Sequence, residues 1–378
     1  VLNFALSEEQ QALQGLVRQF LAENAPLSVV RERMAMIEPH DAKLWQRLSG
    51  ELGLAGMSID EEYGGLGLGA VERTVVMEEM GRALFWGPFF STVCWSAPLW
   101  GAAGTSAQKS EVLPGIAAGE LLSSVAWLEP GRGRGPDGVQ LKAVLEGDEW
   151  VLDGEKTRVL DGQIADWLIV AARVGAGLED ISLFAVRGDS VGLERERVPS
   201  VDQTRTFADM TFRHVRVPRE ALLGEQGGGW PLLMRSVDVA ACALAAEQVG
   251  AAEACMDLSV AYAKVREQFG RPIGSFQAVK HRCADMLLQV ESARSAAYYA
   301  GWAAGALGAD TGRAAALAQA YCSDALFFCA AECIQLHGGI GFTWEHDAHL
   351  FFKRAQSAKT LLGSPTEHRE RVALELGL

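Results

Sequence analysis

The run from Gly312 to Cys333 restricts this chain more than any other stretch. Ala, Leu, Phe, Tyr and Cys fill most of it, and only Arg313, Asp324 and Glu332 are charged. A helix that is apolar almost all round has to be covered on nearly every side. The segment is therefore predicted to lie inside a helical bundle or between subunits. Phe276, Val279, Cys283, Met286, Leu287 and Val290 recur at spacings of three and four and mark one apolar face of another helix. At 378 residues the chain has room for two or three domains and a sizeable core without disulfide or metal staples.

The texture changes twice along the chain. From Ser7 to about Gly119 the pattern is helical, and Ser7-Glu-Glu-Gln10 reads as a capping box. From about Glu120 to Trp230 it reads as strands. Val139–Leu145 and Trp150–Asp153 flank a hairpin turn at Glu146–Glu149. Trp167–Ala172, Ile181–Val186 and Met210–Val217 are further β-like runs, the last closed by Pro218. Helical patterning returns from Gly229. The expected class is α+β: a helical domain over 1–119, a central β domain over 120–230 and a helical bundle over 231–378.

Composition removes several functions. Lys and Arg number 34 against 48 Asp and Glu, a net charge of −14, with no long basic run. Neither nucleic acid nor an anionic membrane is an expected partner. Ala83–Gln108 carries no charge over 26 residues, more than the roughly 20 that span a bilayer. Gly87, Pro88, Pro98 and Gly101 interrupt it, so two buried helices joined by a turn are expected there. No secretory signal is visible at Val1-Leu-Asn-Phe, and the seven cysteines form no CxxC pair. Free buried thiols and a cytoplasmic location are expected.

Most motif matches have plain readings. Gly133, Gly135 and Gly138 form a GxGxxG, but Glu129-Pro130 precede it and strand-like Val139-Gln-Leu-Lys142 follows. Without a strand before and a helix after, no amide N–H groups aim at a pyrophosphate, and the segment reads as a loop. Glu345-His-Asp-Ala-His349 lacks helical zinc spacing and reads as a solvated helix start; no metal is expected. No GxSxG elbow or P-loop occurs. In the last third, Arg266–Lys280 and Gln335–Phe342 offer an arginine, glutamines and bare backbone at glycines, which suit a diphosphate. Either alone also reads as a helix C-cap beside a surface arginine.

Taken together, Glu61-Glu-Tyr-Gly-Gly-Leu-Gly67, Leu128-Glu-Pro-Gly131, Leu223–Trp230, Arg266–Gln277 and Gln335–Phe342 resemble the acyl-CoA dehydrogenases, in order and spacing over nearly the whole chain. The resemblance implies an N-terminal helical domain, a central β domain and a C-terminal four-helix bundle, assembled as dimers or dimers of dimers. It also implies FAD and an acyl-CoA thioester. A glutamate removes the α proton and the β hydrogen leaves as hydride to the flavin, giving the 2-enoyl-CoA. That glutamate usually stands just before a Gly-Thr/Ser pair, where this chain has Leu362 before Gly363-Ser364. The alternative position in the first bundle helix holds Ala240, followed by Ala241 instead of an arginine.

The flavin-ring positions depart as well. Leu128 replaces a Thr or Ser, Arg158 a tryptophan and Leu160 a hydroxyl residue, while Arg132 and Arg134 stand where small or polar residues are usual. Arg266, Gln268, Phe269, Gln335, Gly338 and Gly339 match the set that a neighbouring subunit supplies to the pyrophosphate and adenine. The expectation is a chain with no catalytic residue, sharing FAD across a dimer interface with a homologous subunit in an α2β2 enzyme. Heteromeric actinobacterial members that shorten steroid side chains are built this way. Two alternatives are a self-sufficient dehydrogenase with Asp238 or Glu367 as displaced base, and a non-redox acyl-CoA-binding or scaffold protein.

Overall fold

Helices, then strands, then helices follow one another in the computed structural model, which describes residues 6–36, 40–305 and 310–378. Helix α1 (Glu8–Asn24) starts at the expected capping box: Ser7 Oγ accepts from Gln10 N at 3.2 Å, and Gln10 Oε1 from Ser7 N at 3.0 Å. Helix α2 (Leu27–Met34) follows, then α3 (Ala42–Leu52), capped by the Asp41 carboxylate, and α4 (Ala70–Arg82). The uncharged stretch differs from its expectation. A π-helical turn at Phe90–Ser96 runs straight into α5 (Ala97–Ala103), and α6 (Ser106–Ala117) begins after a short break. Pro98 has no N–H to donate, so the regular ladder lacks a donor just where the two helical registers meet.

Eight strands follow: β1 (Ser123–Ala126), β2 (Lys142–Glu146), β3 (Glu149–Leu160), β4 (Trp167–Arg173), β5 (Ile181–Arg187), β6 (Leu193–Val198), β7 (Phe207–Pro218) and β8 (Leu222–Leu223). They join in the order β6-β7-β3-β2-β4-β5-β8, with β1 parallel to β4. The β2–β3 turn pairs Glu146 with Glu149, at the expected place. Strand β6, Leu-Glu-Arg-Glu-Arg-Val, escaped the sequence reading because charged residues fill its middle and no side of it is fully buried. Helix α7 (Gly229–Val265) comes next. A small hairpin of β9 (Glu267–Gln268) and β10 (Arg271–Pro272) follows, then α8 (Gln277–Gly305), α9 (Thr311–His337), α10 (Ala348–Leu361) and α11 (Pro365–Glu375).

The chain divides into two compact units that do not follow chain order. The first holds Val1–Pro39, Gly69–Trp86 and Ala241–Leu378; the second holds His40–Leu68 and Gly87–Ala240. In the first unit α9 packs on α8, α10 and α11, burying Ala314, Ala318, Cys322, Ala325, Cys329 and Cys333. On α8 the stripe is narrower than expected. Met286 and Val290 are buried, Leu287 is half exposed, and Phe276 falls before the helix begins. Helices α7 and α9 (on to Phe342) are long and apolar enough to cross a membrane, and 89% of the apolar window of α7 is buried within the fold. All seven cysteines are free, six of them buried.

Helices α4 and α7 meet backbone to backbone. A methyl on Gly81 would lie 1.9 Å from Glu247 O, and one on Gly250 would lie 1.7 Å from Glu78 O. Beside this crossing two carboxylates are fully enclosed. Glu79 takes Arg18 Nη2 at 2.7 Å and Nε at 2.8 Å, and Glu78 takes Arg294 and the Tyr298 hydroxyl, the latter at 2.8 Å. Burial pushes the Tyr298 phenol up to about 12. A third pair, Arg354 Nη1 to Glu247 Oε1 at 2.8 Å, is buried on the same stretch of α7.

The second unit has its own buried pair. Lys156 is fully enclosed, its Nζ 2.7 Å from Glu129 Oε1 and 3.3 Å from Trp127 O. The same Glu129 oxygen accepts the Gln140 and Leu141 N–H groups at 2.8 Å each, so one carboxylate ties the 128–131 loop to two others. Burial brings the Lys156 ammonium down to about 8.

Two stability outcomes follow. Gly250→Ala must prise α4 from α7 and is expected to cost about 1–3 kcal/mol or more in urea unfolding. Gly15→Ala on α1, where nothing lies within 4 Å of the new methyl, is expected to add up to about 1 kcal/mol. Equal effects would refute the close-contact account. Lys156→Met strands a buried carboxylate and is expected to cost about 3–5 kcal/mol, with Glu129→Gln added to it restoring part of that loss. Strictly additive losses in the double variant would show that the pair is not coupled.

Candidate functional site

The six residues expected at the diphosphate are all exposed, and the first unit gathers both segments that carry them. Helix α7 ends as Arg266 N donates to Tyr262 O at 2.9 Å, and Ile273 N returns to Arg266 O at 2.8 Å to close the β9–β10 turn. At its tip Phe269 adopts a left-handed φ of +55° and is 92% exposed. Helix α9 ends at Gly338, whose φ of +62° suits glycine. Nothing stands within 4 Å of where a methyl on Gly338 or Gly339 would be.

Ring stacking joins the two segments. His337, just before Gly338, lies 4.4 Å from the Tyr262 ring, which stands one turn before Arg266. The His346 ring also lies 4.2 Å from that of His337. Burial pulls the His337 pKa down, but its hydrogen bonds to Cys333 outweigh this and raise it. One end of the unit therefore presents a guanidinium (Arg266), two carboxamides (Gln268, Gln335), an exposed ring and open backbone. That set can hold phosphate oxygens beside a planar base.

The positions where a base would stand are aliphatic. Leu362 is 4% exposed at the end of α10, and Ala240 and Ala241 are buried within α7. Of the two candidate displaced acids, Glu367 is exposed but committed: its Oε2 accepts Ser364 N at 2.6 Å while Ser364 Oγ accepts Glu367 N at 3.2 Å, capping α11. Asp238 is 9% exposed, in the second unit.

The second unit supplies little for a flavin ring. Leu128 and Leu160 are buried. Arg158 is exposed, with a left-handed φ of +51° on an irregularity of the β3–β7 ladder. Asp209 Oδ1 holds that turn, accepting Arg158 N at 3.0 Å and the Thr157 hydroxyl at 2.6 Å. Arg132 is half exposed, its Nε 4.0 Å from Glu129. The Lys156–Glu129 pair, which joins β3 to the Glu-Pro-Gly loop, carries no signal in the sequence pattern.

Gly133–Gly138 is a loop ending in a single 3-10 turn before β2, so it presents no helix N-terminus. Glu345–His349 is not the solvated start that was expected. His349 is 8% exposed against Trp344, His346 stacks on His337, and Asp347 accepts Arg31 Nε at 2.8 Å. Ala348 and His349 are buried and His346 and Asp347 half-buried, while Glu345 stays exposed, an arrangement set by ring contacts that spacing does not reveal. Among the described residues no three His, Cys, Asp or Glu side chains are grouped to hold a metal.

Three family profiles match in chain order: the acyl-CoA dehydrogenase N-terminal domain at residues 7–120, the middle domain at 124–215 and the C-terminal domain at 227–377. The chain is 37% identical over 370 residues to acyl-CoA dehydrogenase IpdE2 of Mycobacterium tuberculosis, covering 98% of each. Among solved structures it resembles a variant of the Tcur3481–Tcur3483 steroid ACAD, with 32% identity, 98% of each chain covered and a TM-score of 0.87. It also resembles the ChsE4–ChsE5 complex of M. tuberculosis, with 25% identity, coverage of 100% and 99%, and a TM-score of 0.90. The chain belongs to the acyl-CoA dehydrogenase family.

Proposed function

We propose that this chain is the non-catalytic subunit of an α2β2 acyl-CoA dehydrogenase, completing in trans the FAD site held by a homologous partner. The observation that carries the proposal is the sorting of residues. Both base positions are buried aliphatic side chains, Leu362 and Ala240, while the six residues suited to the pyrophosphate and adenine stand exposed together. Two of the similar solved structures, ChsE4–ChsE5 and Tcur3481–Tcur3483, carry paired names, and the second is called a steroid ACAD. A bulky, ring-bearing acyl-CoA is the substrate class this favours.

Dehydrogenation removes the α hydrogen as a proton to a carboxylate and the β hydrogen as hydride, which is the chemistry that bound FAD supplies in this family. The residues of this chain fit only part of that cofactor. Arg266 offers a bidentate cation for the pyrophosphate, Gly338 and Gly339 an open backbone that a side chain would obstruct, and Phe269 a ring face for the adenine. Leu128 and Leu160 offer no hydroxyl to the ring, and Leu362 can accept no proton. The α proton therefore goes to a carboxylate of the partner.

Copurification with the homologous subunit is expected to give one FAD per two chains, and Arg266→Ala to lower flavin content roughly tenfold, as expected for losing a charge-assisted phosphate contact. A full equivalent of FAD on this chain alone, reduced on adding acyl-CoA, would sink the proposal. Glu367→Gln preserves the cap and is expected to leave kcat of the assembled enzyme unchanged. A collapse of kcat would instead identify Glu367 as a displaced base.

A further inference from the structure

The chain leaves α9 at His337 and enters α10 at Ala348, and a pair of imidazole rings spans the segment between them. The His337 and His346 rings lie with centroids 4.2 Å apart and planes at 48°. Within the segment a 3-10 turn at Gly338–Phe342 comes first. Thr343 then donates to Ile340 O through its N–H at 3.0 Å and its hydroxyl at 2.9 Å, and His346 N donates to Thr343 O at 3.3 Å. These bonds join near neighbours in sequence, whereas the ring pair ties the two ends together.

His346 also caps the next helix. Its Nδ1 accepts the Ala348 N–H at 3.1 Å, and Ala348 opens α10, where a main-chain donor has no acceptor within the helix. An accepting Nδ1 carries no proton. A proton taken up there would replace an acceptor with a donor facing a donor, and would set a cation at a helix N-terminus. It would also set that cation against His337, whose Nδ1 lies 2.7 Å from Cys333 O and 3.7 Å from Cys333 Sγ.

The charges around this corner divide. Burial first, then His337, hold the His346 imidazole below its ordinary value; Arg31 of α2 acts the same way, while Cys333 of α9 and Asp347 oppose them. Asp347 is itself committed to Arg31 at 2.6 Å. Glu345, Tyr262 of α7 and His349 and Lys353 of α10 complete the surrounding groups. A histidine held low in the folded chain stabilises it above about pH 6.5 and gives that up as pH falls. His346 has this sign, and so does His349, lowered chiefly by burial. His337, raised by Cys333 against the pull of burial, has the opposite sign.

We propose that His346 is a proton-operated latch on this segment. Unprotonated, it caps α10 and lies against His337; protonated, it leaves both, and the Gly338–Phe342 backbone opens. Mild acid thereby withdraws this exposed surface, whatever ligand or partner occupies it.

Amide hydrogen exchange of the full chain, corrected for intrinsic rates, tests this between about pH 7.5 and about pH 5.5. Protection over residues 338–350 is expected to fall roughly fivefold relative to β4 in the second unit. An asparagine Oδ1 accepts as Nδ1 does but takes up no proton, so His346→Asn is expected to hold protection constant within roughly twofold. His349→Asn removes the other low imidazole, leaves the cap and is expected to keep most of the fall. A flat wild-type profile overturns the proposal without any variant. So does an undiminished fall in His346→Asn, or a fall that disappears in His349→Asn.

Discussion

The contact on which the first unit depends is the one where α4 and α7 touch through Gly81 and Gly250. At that separation no side chain fits between the helices, and the main-chain carbonyls of Glu78 and Glu247 fill the place where methyls would be. Close approach of this kind removes water from whatever flanks it. Glu78, Glu79 and Glu247 are consequently buried, and each is tolerable only because an arginine reaches it from α8, α1 or α10. Five helices far apart in sequence are thus drawn to one crossing by two glycines and three carboxylates. Helix α7 continues from that crossing to Tyr262 and Arg266, so the rigidity built at Gly250 is delivered to the exposed end.

The exposed end depends on a different force. The rings of Tyr262 and His346 both lie against that of His337, and the Tyr262–His337 contact holds the end of α7 against the end of α9. Aromatic stacking fixes relative position without closing the surface, which leaves Arg266, Phe269 and the Gly338–Gly339 backbone outward. A surface that exposes Phe269, Phe342 and Ile340 in this way is incomplete alone, and the proposed subunit role gives those side chains a cover.

Much of this was legible in the sequence, and the gaps have physical causes. Helix α9 announced itself because uninterrupted apolar composition has few other solutions. The cap at Ser7 and the turn at Glu146–Glu149 are local events that local residues dictate. Strand β6 was invisible because Glu194, Arg195, Glu196 and Arg197 show no apolar alternation, and only its pairing with β7 makes it a strand. The site was legible as residues and not as geometry. Resemblance singled out the six residues of the proposed cofactor contact. That they share one end of the unit depends on rings at Tyr262, His337 and His346, of which only His346 stood out, as part of an expected solvated helix start. The Glu345–His349 segment was misread for the same reason, since burial by stacking leaves no periodic trace.

The acidic composition bears on the proposed role through where its carboxylates are buried. Glu78, Glu79, Glu129 and Glu247 are each almost wholly enclosed and each is paired with an arginine or lysine. Pairing commits each of these groups to a cation in a structural contact. A base that removes an α proton needs the opposite environment, enclosed but not neutralised by a close cation, so that taking up a proton is favourable. Leu362, Ala240 and Ala241 occupy the two places where the family builds that environment. These four glutamates are buried with a cation to hold each one. These four acids serve structure, and under the proposed function the proton transfer falls to a carboxylate of the partner subunit.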